Sequence, residues 1–188
     1  NRALAFNNAI EYSLIEISDL ENFKEKKIVV ASKLLESIIK SCSIEKFKII
    51  KTFVGSEFAG TICTHPFQTL GYDFDIPMLD ARFVNLEQGT GIVHCAPSHG
   101  PDDFNLCLKH NIPSKYTVDN SGYYTKEIPY FTKTHVFKAD QIVIDKLKEV
   151  KKLLKNDKLQ HSYPHSWRSK APLIYRATPQ WFISMEKN

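Results

Sequence analysis

No apolar run in this sequence approaches the roughly 20 residues that a bilayer span needs. Its first residues, NRALAFNNAIEY, lack a basic region followed by an apolar run and a small-residue cleavage site, so a secretory leader is not expected. Cysteine is sparse. Cys42, Cys63, Cys95 and Cys107 are widely spaced with no CxxC pair, which argues against a zinc ribbon or a disulfide-dense scaffold. Reduced thiols in a cytoplasmic protein are the expectation. Nucleotide loops of the GxGxxG or GxxxxGK(S/T) type are missing, so the chain is not expected to use ATP by itself. With neither HExxH nor a GxSxG elbow, a metalloprotease or a serine hydrolase of that design is disfavoured. A strong excess of one charge is lacking too. The net charge of +4 permits contact with a polyanion without demanding it.

What is present fits an ordinary globular chain. Its 188 residues can build one full core, or one domain with a small appendage. Hydrophobic residues make up 43% and charged residues 24%, and no repeat or low-complexity tract interrupts them. Tyr12 to Ile17 and Ile28 to Ala31 read as strands. Ser32 is placed to cap a helix through about Lys40, with Leu34, Leu35, Ile38 and Ile39 as its buried stripe. Phe47 to Val54, Thr61 to Thr64, Ile76 to Ala81 and Phe83 to Leu86 are further extended candidates. Pro101 suits the first position of a helix running to about His110, with Pro113 just beyond its end. Asp119 to Gly122 reads as a turn.

The clearest periodicity runs from Ala139 to about Lys155, where Val143, Leu147, Val150 and Leu154 form one apolar face. The lysines Lys146, Lys148, Lys151, Lys152 and Lys155 mostly occupy the remainder, as a solvated face or as a face for nucleic acid. Gln160 to Arg176, with Pro164 and Pro172, reads as extended. Many short strands with a few helices predict an α+β fold built on a β-barrel or curved sheet.

Chemistry concentrates in GTGIVHCAPSHGPDD, Gly89 to Asp103. Gly89 and Gly91 flank Thr90 and allow a sharp turn or a close backbone approach. His94 ends a strand-like run, and Asp102 and Asp103 fall in the first turn of the helix starting at Pro101. Free N–H groups and the helix dipole favour an ionised carboxylate there. Such an acid either stabilises the helix or, at the rim of a pocket, binds an ammonium group; spacing alone leaves both open. His94, Cys95, His99, Cys107 and His110 also lie close in sequence, but strand alternation would point His94 and Cys95 to opposite faces. Three convergent zinc ligands are not evident, and no metal is expected.

The stretch GTGIVHCAPSHGPDDF closely resembles the editing-site signature in the connective insertion of isoleucyl-, valyl- and leucyl-tRNA synthetases. NRALAFN at the start, HPF at His65 to Phe67, VFKAD at Val136 to Asp140 and HSYPHSWRSKAPLIYRATPQWFISM at His161 to Met185 resemble the same insertion in the same order. The last stretch is most similar to the bacterial isoleucyl type. The resemblance implies a β-barrel-like editing module with flanking helices over residues 1–159, and an extended connection toward an aminoacylation domain over 160–188. It implies hydrolysis of the ester of Val-tRNA(Ile), with the tRNA(Ile) 3′ end and the rest of a synthetase as partners and no membrane.

A synthetic pocket shaped for isoleucine gains only about 1–3 kcal/mol against a side chain one methylene shorter, so a second, smaller pocket must remove valine; these synthetases are the standing example of that double sieve. By position, Asp103 matches the residue that binds the substrate's α-ammonium. His94 matches the histidine lining the pocket, and Gly89, Thr90 and Gly91 match the turn that shapes it. ATP and Mg2+ would belong to a synthetic site outside this chain, since neither HIGH-type nor KMSKS-type signatures occur; the editing domain itself would need no cofactor. The threonine-rich peptide that precedes the Asn-Arg-Ala element in the family is not in this sequence, and Ser166 stands where cysteine is common. A valyl-type domain clearing Thr-tRNA(Val) and a tRNA-docking module without catalysis are the alternative readings.

Overall fold

The computed structural model describes residues 2–23, 26–87, 89–158, 162–178, 180–181 and 183–186. Its strands form two sheets. The first has the order β5(Ile62–Cys63), β6(Ile76–Asp80), β1(Ala3–Phe6), β7(Val93–Cys95). Here β1 runs parallel to β6, with Leu4 opposite Met78, and antiparallel to β7, with Leu4 opposite His94. The second sheet is antiparallel, with β2(Glu11–Ile17) between β3(Lys27–Ala31) and β4(Phe47–Val54). The α+β class is as expected, although neither sheet closes into a barrel among the described residues.

Side-chain alternation explains how β2 serves two cores. Tyr12 joins Ala3, Ala5, Phe6, Ala31, Phe58 and Cys95 in the principal cluster, which spans both sheets. Ile15 and Ile17 anchor a second cluster with Ile44, Leu35 and Ile39. A register shift against β4 between Leu14 and Ile15 separates the two groups, as a bulge does when it increases local twist. A third cluster gathers Phe67, Tyr72 and Phe131 under Val143, Leu147 and Val150.

The helices are α1(Leu35–Ser41), α2(Pro101–Lys109) and α3(Ala139–Glu149). Three expectations need correction. Ser32 opens a short 3-10 turn, Ser32–Leu34, and caps nothing, because its hydroxyl pairs with that of Ser13 at 2.8 Å. Phe83 to Leu86 forms no strand: Phe83 lies in a turn closed by the Val84 N–H on the Ala81 carbonyl at 3.2 Å, and Val84 is buried in the core. Helix α3 ends at Glu149, six residues short of Lys155. Lys151 adopts φ 54°, its N–H bonds the Lys148 carbonyl at 3.0 Å, and the Lys152 N–H bonds that of Leu147 at 2.9 Å. That is a Schellman closure with lysine in the left-handed position. Leu154 continues the stripe in sequence but packs in the Ile15–Ile17 cluster instead. The expected boundary between 159 and 160, and His161, lie outside the described residues.

Candidate functional site

The site grows from the two ends of β7. Before it, Gly89 and Gly91 both take positive φ, 77° and 78°, which fold the chain sharply around exposed Thr90. At Gly91 the turn touches the second sheet. A Cβ there would lie 2.5 Å from Cβ of Ala31, so no other residue fits without displacement. Two successive carbonyls of the turn are held by that sheet: the Ala31 N–H donates to Thr90 at 2.8 Å, and the Tyr12 hydroxyl donates to Gly91 at 2.7 Å. The Thr90 hydroxyl donates to the Ile92 carbonyl at 3.1 Å. Among the described residues nothing lies where a Cβ on Gly89 would stand, so its positive φ is what favours glycine there.

His94 sits at the middle of β7, exposed, while neighbouring Cys95 is fully buried, as strand alternation requires. Desolvation lowers the His94 pKa, and the nearby Asp103 carboxylate opposes the shift. The ring is therefore predominantly neutral at pH 7. The Cys95 thiol is pushed up to about 12, chiefly by burial and further by Asp103, and is inert as a nucleophile.

Helix α2 begins where Pro101 places it, with Gly100 extended before it. Asp102 and Asp103 occupy its first turn. Asp103 does more than complement the helix dipole: its Oδ2 accepts the Ala96 N–H at 2.8 Å and ties the loop after β7 to the helix. No hydrogen bond engages its Oδ1 among the described residues. A carboxylate fixed through one oxygen presents the other to a cation. His94 and Asp103 are thus brought within electrostatic reach at the two ends of one loop, while the glycine turn lies at the far end of β7.

The same loop holds the C-terminal segment. The Ser98 carbonyl accepts the Ala177 N–H at 2.8 Å, and the Ser98 hydroxyl donates to the Lys115 carbonyl at 2.7 Å. His99 bonds the Tyr175 carbonyl through Nδ1 and the Thr117 hydroxyl through Nε2, both at 2.8 Å. Because a carbonyl only accepts, Nδ1 of His99 carries a proton. A cleft of about 900 Å3 opens beside this segment, with His99, Tyr124, Phe137, Tyr163, His165 and Tyr175 in its walls. Gly89 to Gly91, His94 and Asp103 do not border it. Among the described residues no three His, Cys, Asp or Glu side chains converge to hold a metal ion. Ala96 and Tyr12 are partners of the site that sequence reasoning missed, since one acts through its backbone and the other from 79 positions away.

The family model described as "Leucyl-tRNA synthetase, editing domain" matches residues 17–158. The chain belongs to this editing-domain family. Its similarity to an isoleucine–tRNA ligase of Pelagibacter ubique (strain HTCC1062) is 67% identity over 188 residues, all of this chain and 21% of that protein. An isoleucine–tRNA ligase of Francisella tularensis subsp. tularensis (strain WY96-3418) is 44% identical over 187 residues, 19% of its length. The chain therefore spans about a fifth of these relatives. The crystal structure of GlLeuRS-CP1 shares the fold with a TM-score of 0.64 at 14% identity, covering 85% of this chain and 79% of that one. The editing-domain family thus stands on both the residues matched and the fold, including the stretch Gly89 to Asp103.

Proposed function

We propose that this chain is the proofreading domain of an isoleucine–tRNA ligase and hydrolyses the ester of Val-tRNA(Ile). The observation that carries the reading is Asp103, fixed by the Ala96 N–H through one oxygen and, among the described residues, without a hydrogen bond at the other. In this reading Oδ1 takes the α-ammonium of the esterified amino acid. That contact holds the ester for attack by water, which releases valine and leaves the terminal ribose hydroxyl on the tRNA. Positioning and electrostatics supply the rate, and no side chain here is required as a covalent nucleophile. Neutral His94, beside Asp103, limits the space for the amino-acid side chain without competing for the carboxylate as a cation. The glycine turn closes the same pocket from the other end of β7. The domain works without a cofactor; ATP and Mg2+ serve the synthetic site of the longer enzyme, in the cytoplasm.

Similarity to isoleucine–tRNA ligases over the whole chain supports valine rather than threonine as the rejected amino acid. The test compares hydrolysis of Val-tRNA(Ile), Ile-tRNA(Ile) and Thr-tRNA(Val) by the full synthetase and its His94→Ala variant. Wild type should clear the valyl ester and spare the isoleucyl ester, and His94→Ala should also cleave the isoleucyl ester. Preference of the wild type for Thr-tRNA(Val) would overturn the isoleucyl reading.

A further inference from the structure

Tyr12 is completely buried, and both hydrogen-bonding capacities of its hydroxyl are used. It donates to the Gly91 carbonyl at 2.7 Å and accepts the Asn7 N–H at 3.2 Å. The ring is fixed independently of that hydroxyl, stacked on Phe53 with centroids 6.2 Å apart and set edge-on to Phe58 at 4.9 Å. It also lies against the turn itself, since a Cβ on Gly91 would come 3.4 Å from Cε1 of Tyr12. One side chain therefore joins the end of β1, the start of β2 and the turn that leads into β7.

We propose that Tyr12 is a positioning residue for the editing reaction, setting through Gly91 where Thr90 and His94 stand in the pocket. The inference rests on the reading given under Proposed function. Its physical basis is the short path from Gly91 through Ile92 and Val93 to His94. Gly91 has no side chain to anchor it, so its position is set by its backbone contacts. The Ala31 N–H fixes the preceding carbonyl, but only Tyr12 fixes that of Gly91 among the described residues. Without the hydroxyl, a buried carbonyl and the Asn7 N–H each lose a partner, and the turn relaxes to recover them. The pocket then loses its discrimination between side chains that differ by one methylene.

Tyr12→Phe tests this because it removes one oxygen and keeps the ring packing. In the full synthetase the ratio of valyl to isoleucyl ester hydrolysis is expected to narrow about fivefold, the loss of one net hydrogen bond's worth of positioning. Amide hydrogen exchange should quicken at Thr90, Gly91 and Ile92 and stay unchanged in β4. A reduced folded fraction would lower both hydrolysis rates together and leave their ratio untouched. An unchanged ratio in an active enzyme therefore overturns the proposal. A wild type that cleaves neither ester sinks the functional reading instead. Exchange at the three amides then decides whether Tyr12 holds the turn: local acceleration supports it, and unchanged exchange overturns it.

Discussion

His65 shows what a single residue of the HPF stretch contributes. It is buried, its ring stacks on Tyr72 with centroids 4.5 Å apart, and its Nδ1 accepts the Phe67 N–H at 3.0 Å. Burial lowers its pKa from 6.5 to about 4. The unfolded chain therefore takes up the proton first as pH falls. The stabilising contribution is complete above 6.5 and is lost progressively down to about 4, at up to about 1.4 kcal/mol per pH unit within that window. Urea unfolding at several pH values should show this acid-side slope, and His65→Gln should flatten it. Gly91 makes a steric prediction at the same scale. Gly91→Ala must place a methyl against Ala31 at positive φ, and should cost about 1–3 kcal/mol in urea unfolding. Adding Ala31→Gly should return part of that loss, because it removes the clash and leaves the backbone strain.

Among the elements, those set by local chemistry were legible. Apolar, β-branched and aromatic runs marked β2, β3, β4 and β6, and Pro101 marked the start of α2 to the residue. The end of α3 was not legible, because the apolar spacing continues through Leu154 after the backbone has turned, and the reversing residue is Lys151 rather than glycine. Ser32 misled for a related reason: its hydroxyl is committed to Ser13, a partner that no local window contains. The position of Lys151 yields a direct test. At φ 54° a glycine is favoured, so Lys151→Gly should stabilise the domain by about 0.5–1 kcal/mol, measured by the urea midpoint. No change in midpoint would mean that the lysine side chain contributes as much as the left-handed backbone costs.

At the scale of the whole molecule, two sheets are joined where Tyr12 and Ala31 hold the turn of Gly89 to Gly91, and the loop from Ala96 to Gly100 links β7, α2 and the C-terminal segment. The site residues were named in the sequence by their likeness to a family, while their physical reading stayed open between helix stabilisation and ligand binding. The structure adds a reason for Asp103 to stand where it does, since its carboxylate bridges outside its own helix. It also adds the supports, Ala96 and Tyr12, whose roles arise only from tertiary pairing. Deacylation of Val-tRNA(Ile) by the full synthetase, measured for wild type and Asp103→Ala with isoleucylation as the control, tests the central claim most directly. Loss of a charge-assisted contact should slow deacylation by about 10- to 100-fold and leave isoleucylation intact. Equal deacylation rates for the two enzymes would contradict the account.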